Sequence, residues 1–344
     1  MTPPRLRLGL AGLGSMGRNH LRVISNHPDT ELTAISDPVA DSLEAARGQT
    51  PATPFADPIE MIRTAQLDGL VIAAPTTGHA TLALAAIEAG IPVLVEKPLA
   101  GTLEEAVTIV SAARTRRVAV QVGHVERYNP AVLEMGRLLR AGWLSTVYAI
   151  TSRRAGPFPA RIRDVGVTVD LGTHDVDMLC WIAGERPLRV FAETSQRIHA
   201  THEDLTFGLM HFPSGASGFL DVDWLTPAKR RSLVALGEEG MFELDYLTQK
   251  LTFTRANVDR PELVAGYATT FTGDVAEIPV VNVEPLRAQL DEFVRVLRTG
   301  EKPYVDGLDG LWAVAIAAAM LTSAREHRPV EMADIEARLA AAAR

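Results

Sequence analysis

Of the 344 residues only one, Cys180, is a cysteine. A lone thiol closes no internal disulfide and builds no thiolate zinc site, which excludes a stapled secreted scaffold and a Cys-ligated metal centre. Basic charge is also in short supply: 34 Lys and Arg stand against 42 Asp and Glu, a formal net charge of −8. Nucleic-acid binders carry a basic surplus somewhere, and no run of five or more like charges occurs here, so no nucleic-acid partner is expected. Long apolar runs are missing too. The opening MTPPRLRLGLAGLG passes from a short apolar stretch straight into glycines, unlike a signal peptide. Residues 311–321 are apolar throughout, about half of what a bilayer requires, and so predict a buried helix and no membrane contact. Together these absences fit a cytoplasmic protein.

What is present is an ordinary globular balance, 47% hydrophobic and 22% charged, and a length that suggests two domains at about 150 residues each. Short aliphatic runs over 5–11, 31–35, 69–73, 92–95 and 118–122 alternate with helical patterns over 17–26, 42–47, 59–65, 79–89 and 103–115. That rhythm predicts α/β architecture: a doubly wound parallel Rossmann sheet with crossover helices over 1–122. Beyond it, helices are predicted over 130–141 and 173–183. Longer strand-like segments over 147–154, 188–199, 205–224 and 232–253 follow without crossovers, so 123–344 is expected to form an α/β domain with a large, mostly antiparallel open sheet. Residues 256–283 carry little periodicity and suggest a surface loop or arm. Helical spacing returns over 285–298 and 308–326.

Directly after the first strand stands Gly12-Leu13-Gly14-Ser15-Met16-Gly17, followed by a helix. Taken alone, G-x-G-x-x-G is a weak signal and equally describes a glycine turn. In a dinucleotide site Gly12 makes the tight turn, Gly14 lets a pyrophosphate approach the backbone, and Gly17 packs helix against strand. The helix N-terminus offers free N–H groups to the anion. Asp37 follows Gly17 by 20 residues at the end of the second strand, where a carboxylate accepts both ribose hydroxyls. A 2′-phosphate there would meet a like charge, which favours NAD over NADP.

Ligands of such sheets lie outside the carboxyl ends of the strands. Those ends carry Ala74-Pro75-Thr76-Thr77, then Glu96-Lys97-Pro98, then Gly123-His124-Val125-Glu126-Arg127-Tyr128-Asn129-Pro130. Lys97 is suited to stabilise a developing alkoxide. The segment after residue 123 is either a site wall or a domain linker whose proline starts a helix. In the second domain Asp170 and His174 are four apart, close enough for the carboxylate to orient the imidazole if the turn is helical. A capping Thr173 with a structural histidine beside it is the simpler account of that segment. Asp175 and Asp177 lack partners at metal-ligand spacing, so no metal is expected. Arg153, Arg154, Arg161 and Arg163 suit a diphosphate or carboxylate, and equally surface ion pairs or a subunit contact; Arg163 is the one assigned to substrate.

The glycine loop with Asp37, the Glu96-Lys97-Pro98 step and Asp170-x-Gly172-x-His174 together resemble the glucose-fructose oxidoreductase, inositol dehydrogenase and MocA (Gfo/Idh/MocA) family over nearly the whole chain. The resemblance implies that Lys97, Asp170 and His174 match the family's catalytic lysine, aspartate and histidine. It also implies a candidate cis bond at Lys97–Pro98, and an open sheet whose outer face joins subunits as a homodimer or homotetramer. Residues 123–130 and 156–166 look like the UDP-N-acetylglucosamine 3-dehydrogenases within the family, whose 3-keto product a PLP-dependent aminotransferase consumes; Tyr128 and Gly172 depart from the usual Phe and Ala.

The expected activity is NAD-dependent oxidation of a sugar ring hydroxyl, with a nucleotide sugar as the small-molecule substrate. An inositol or free-sugar dehydrogenase, or a ketosugar reductase, is the alternative, and a non-catalytic NAD-sensing regulator is the rival of another class. Cofactor contacts are expected from Gly12, Gly14, Ser15, Met16, Gly17, Asp37, Pro75, Thr76, His79, Glu96 and Lys97. Substrate contacts are expected from His124, Arg127, Tyr128, Asn129, Arg163, Asp170 and His174.

Overall fold

The computed structural model describes residues 4–159, 165–256 and 273–333, the pieces 263–264 and 267–268, and positions 335 and 337. The first half alternates strand and helix: β1 (Leu6–Ala11), α1 (Ser15–Ser25), β2 (Thr30–Ser36), α2 (Ala40–Arg47), β3 (Thr53–Phe55), α3 (Pro58–Thr64), β4 (Gly69–Ile72), α4 (Thr76–Glu88), β5 (Val93–Glu96), α5 (Leu103–Arg116) and β6 (Val120–Gly123). The six strands are parallel in the order β3-β2-β1-β4-β5-β6. Chain direction of travel across the sheet reverses between β1 and β4, and the crevice outside their carboxyl ends is where such sheets take ligands. β4 and β5 are buried at every position, as strands covered by helices on both faces must be. β3 was not foreseen in the sequence because three residues with a central proline give no alternation, and proline is tolerated only at an edge such as this one.

The second half opens with a 3₁₀ turn over Val125–Tyr128 and α6 (Pro130–Arg140), followed by β7 (Val147–Ala155), α7 (Thr173–Ala183), β8 (Arg189–Ser195), β9 (Leu205–His211), β10 (Ser217–Asp223), β11 (Arg230–Gly237), β12 (Gly240–Asp245) and β13 (Lys250–Arg255). Next come the two-residue ladder of β14 (Leu263–Val264) with β15 (Tyr267–Ala268), then β16 (Val275–Ile278), α8 (Pro285–Thr299), α9 (Gly307–Glu326) and β17 (Val330–Glu331). Nine of these strands form one sheet, β16-β13-β12-β11-β7-β10-β9-β8-β17. Only β7 and β10 run parallel in this sheet; the other pairs are antiparallel, those of β8–β9, β9–β10, β11–β12 and β12–β13 between consecutive strands. β16 corrects the expectation of a loop or arm over 256–283: it extends the sheet beyond β13, with Leu251 opposite Ile278. Its residues lie at the exposed edge, so no buried face imposes an apolar alternation on them.

Two C-terminal helices cross between the halves. α8 sends Leu286, Leu290, Phe293 and Val294 into the core under β1, among Leu8, Leu10 and Ile24, so a segment distant in sequence completes the first layer. α9 starts on a capping box between Asp306 and Asp309 and is apolar nearly all round. By length and composition alone it is long enough to span a bilayer, which corrects the half-length expectation. It is instead mostly buried, packing on β8, α5 and α7, as an all-round apolar helix in a large core should be.

Candidate active site

The glycine loop follows from steric necessity. Gly12 turns with φ +95°, and a Cβ there would lie 2.5 Å from the Ala73 carbonyl oxygen; a Cβ on Gly17 would lie 2.0 Å from that of Gly12. Gly14 is different, with nothing within 4 Å of where its Cβ would stand. It caps α1 without any side-chain hydrogen bond, so the N–H groups of Ser15 and the first turn face an open approach. Asp37, buried at the end of β2, accepts from Leu13 N at 2.8 Å and from Val39 N at 2.9 Å, which ties the loop to the neighbouring strand. An uncapped helix end, a bare glycine and an adjacent carboxylate form a donor and acceptor set suited to a dinucleotide's pyrophosphate and ribose.

At the end of β5 the chain meets the second half. The Lys97–Pro98 bond is cis. Lys97 Nζ donates to Asp170 Oδ1 at 2.9 Å and to the Asp170 carbonyl at 2.7 Å, joining residues 73 apart across the junction of the two sheets. Asp170 sits in a π-helical turn, Thr168–Gly172, that runs into α7. The wider turn breaks the four-residue stacking expected of Asp170 and His174, and the carboxylate faces the lysine instead of orienting the histidine. His174 Nδ1 is buried without a hydrogen-bond partner among the described residues. Burial first, then the charges of Lys97 and Arg154, push its pKa well below the ordinary value, so the imidazole is neutral at neutral pH. Beside it, both ring nitrogens of buried His124 lack a partner among the described residues, and burial likewise lowers its pKa.

Glu96 turns inward to His20 of α1 at 2.7 Å, both side chains buried. Burial would raise the Glu96 pKa, but the hydrogen bond to His20 and the charges of His20 and Lys97 hold it below the usual carboxylate range. Sequence reasoning missed His20; its place three residues after Gly17 on the buried face of α1 is the signal that could have found it. His79 is 1% exposed, with ring nitrogens 2.8 and 2.9 Å from the carbonyl oxygens of Pro98 and Ala74. It braces the backbone around Lys97 and does not line the crevice, contrary to its expected cofactor contact. Pro75 and Thr76 start α4 at that crevice.

Three residues expected in the substrate wall are committed to structure. Arg127 makes a bidentate pair with Asp177, at 2.7 and 2.6 Å, and lies 3.7 Å from Asp309. Tyr128 is 4% exposed, within 3.3 Å of Gln121 Nε2 and edge-on to Tyr304. Asn129 caps α6 through Ala131 N at 3.1 Å. The linker reading of 123–130 therefore describes these three, because each lies where the helices of the second half close on the first. The arginine cluster is also divided. Arg153 points to the outer face of the sheet and pairs with Asp221, while Arg154 is buried between Asp175 (2.7 Å) and Glu126 (3.0 Å). Arg161 and Arg163 lie outside the described residues.

Sequence reading passed over Arg231. It stands opposite Arg154 in the β11–β7 register, on the face that α7 covers. The alternation of Arg231, Leu233 and Ala235 along the strand marks that face.

Residues 6–124 match the model of an oxidoreductase family with an NAD-binding Rossmann fold, and residues 132–243 match the GFO/IDH/MocA C-terminal domain. The chain belongs to the Gfo/Idh/MocA family. It is an NAD-dependent oxidoreductase built on this pair of domains. Inositol 2-dehydrogenase 2 of Saccharopolyspora erythraea is 29% identical over 95% of this chain and 96% of its own. UDP-N-acetylglucosamine 3-dehydrogenase of Acidithiobacillus ferrooxidans is 24% identical over 91% and 95%. Among solved structures, the WlbA dehydrogenase of Bordetella pertussis, in complex with NADH and UDP-GlcNAcA, superposes with a TM-score of 0.80 at 25% identity, covering 95% of this chain and 98% of that one. The matched residues of the two Gfo/Idh/MocA domains take in all six strands of the first sheet and β7 to β11 of the second.

Proposed function

We propose that this member of the Gfo/Idh/MocA family oxidises a ring hydroxyl of a sugar to a ketone, at C3 of UDP-N-acetylglucosamine. The observation that carries the reading is the meeting of Lys97 and Asp170 across the two halves, beside a neutral His174 whose Nδ1 has no hydrogen-bond partner among the described residues. Bound NAD⁺ supplies the hydride acceptor at such a site. The chain's own groups handle the proton. His174 takes it from the substrate hydroxyl, because only an unprotonated imidazole can serve as the base. Lys97 donates a hydrogen bond to the oxygen as its negative charge grows, and Asp170 holds the ammonium in place. The α1 terminus, Gly14 and Asp37 hold the dinucleotide. A ketone next to an acetamido group is what a PLP-dependent aminotransferase would consume.

The nearer identity to an inositol 2-dehydrogenase favours a second reading, oxidation of a free polyol. One assay separates them. Protein freed of bound NADH by pyruvate and lactate dehydrogenase, both then removed, is incubated with NAD⁺ and either UDP-N-acetylglucosamine or myo-inositol, and NADH absorbance is followed. A rise with the nucleotide sugar is expected; a rise with inositol alone would replace the first reading by the second.

The outer face of the nine-stranded sheet supports the homo-oligomer expectation. Phe219 of β10 lies opposite Leu209 of β9, itself opposite Phe191 of β8, and the first two are 44% and 40% exposed. A contiguous apolar face of this kind is characteristic of protein contacts. Phe219→Glu is expected to shift the protein to monomer in sedimentation velocity, and a wild-type protein already monomeric would end this part of the reading.

A further inference from the structure

The second half carries a cation without an ionic partner among the described residues. Arg231 is the second residue of β11, and the β11–β7 register sets it opposite Arg154 on the inward face, where the first turn of α7 packs on β7 through Asp175. The other charges beneath that turn are assigned. Arg154 bonds Asp175 and Glu126, Arg127 bonds Asp177, and Lys97 bonds Asp170. The Arg231 side chain makes no hydrogen bond or ion pair among the described residues, although it is partly buried and lies within electrostatic range of Asp170 and His174. Its surroundings do not offset its charge. Burial, followed by the repulsion of Arg154, outweighs the attraction of Glu126, Asp175 and Asp170 and pulls its pKa down. A guanidinium presents five N–H donors in a planar fork, and a partly desolvated one gains most from an anion with two coplanar or geminal oxygens.

We infer that Arg231 is an anion-binding residue of the substrate pocket, and that the substrate carries a carboxylate or phosphate within reach of the carbon that reacts at His174. This rests on the sugar-oxidising reading above and narrows it to anionic sugars. Two sources of the anion fit the chemistry: the diphosphate of a nucleotide sugar, which Arg153 and Arg154 are not free to hold, or a carboxylate on the ring itself.

Calorimetric titration of the NADH-saturated protein, which cannot turn over an alcohol, tests the assignment directly. The probes are UDP-N-acetylglucosamine, glucuronate and myo-inositol, titrated into wild type, Arg231→Gln and Arg231→Lys. Losing a charge-assisted hydrogen-bonded pair should weaken the anionic probe by about tenfold or more in Arg231→Gln. Arg231→Lys should keep part of that affinity, and myo-inositol should be unaffected. Loss confined to UDP-N-acetylglucosamine identifies the diphosphate; loss with glucuronate identifies a ring carboxylate. Tight glucuronate binding through Arg231 with no binding of UDP-N-acetylglucosamine would keep this inference and overturn the nucleotide-sugar reading. Turnover of UDP-N-acetylglucosamine with unchanged affinity in Arg231→Gln would do the reverse. A role limited to balancing Glu126 and Asp175 predicts lower unfolding stability with unchanged affinities, and that result also overturns the inference.

Discussion

His174→Ala is expected to lower kcat by about a hundredfold to ten-thousandfold, the range that a positioned general base contributes. NADH binding, read by fluorescence titration, should be unaffected, since the loop of Gly12, Gly14 and Gly17 stands on a different sheet. Wild-type activity carries a matching pH signature. Burial and the charges of Lys97 and Arg154 keep the His174 pKa well below its ordinary value. The base is therefore unprotonated through neutral pH, and kcat/KM should stay level down to about pH 6.5, the ordinary histidine value, and fall only below it. Stability has the same sign. Below that pH the unfolded chain binds protons that the folded His174 and His124 resist, so unfolding free energy drops as the medium is acidified through the histidine range. An alanine variant retaining wild-type rates, or a rate loss centred well above pH 6.5, would remove His174 from the proposed chemistry.

Asp175→Ala is expected to cost about 3–5 kcal/mol of stability, the usual consequence of stripping one partner from a buried ion pair. Asp175 is fully buried and accepts both from Arg154 Nε and from the Ser152 hydroxyl. Burial alone would lower the Arg154 pKa, but the charges of Asp175 and Glu126 raise it above the ordinary guanidinium value. Removing the aspartate leaves a 2%-exposed guanidinium with Glu126 as its one remaining ionic partner among the described residues. Urea unfolding of wild type, Asp175→Ala and Glu126→Gln measures the loss. A shift of less than about 0.5 kcal/mol, the size of an ordinary surface substitution's effect, would mean that Arg154 has found other solvation. The cluster lies directly under the His174 turn, so the same variant should also loosen the site. Activity should fall further than stability alone explains.

Much of the first sheet was legible because its signals are local. Each crossover helix has its own punctuation, such as Pro58 after Asp57 or the capping box of Thr102 and Glu105, and each buried strand is a short aliphatic run. The glycine loop was legible in part for the same reason: Gly17 is held to glycine by the Gly12 carbonyl five residues away, whereas Gly12 is also pressed by Ala73, a neighbour in space and not in sequence. The segment 123–130 was not. Its polar residues resemble a binding wall in composition, and whether Arg127 faces a ligand or Asp177 depends on where α7 comes to rest, 50 residues later. Asp170 and His174 show the same limit at closer range. Their spacing suggested mutual contact, but a π-turn and a lysine from the other half redirected the carboxylate. Arg231 left no mark in the sequence because an unpaired cation is defined by the absence of neighbours, and only packing establishes that.

From its amino acids alone the chain is committed to a doubly wound dinucleotide-binding half followed by a strand-rich half, because hydrophobic period, turn chemistry and glycine sterics act over a few residues. The folded molecule decided which charged groups are spent on one another and which remain for a ligand. That partition turns on desolvation and on ion pairs between segments far apart in sequence: His20 with Glu96, Lys97 with Asp170, Arg154 with Asp175 and Glu126, and Arg231 with none of the described residues.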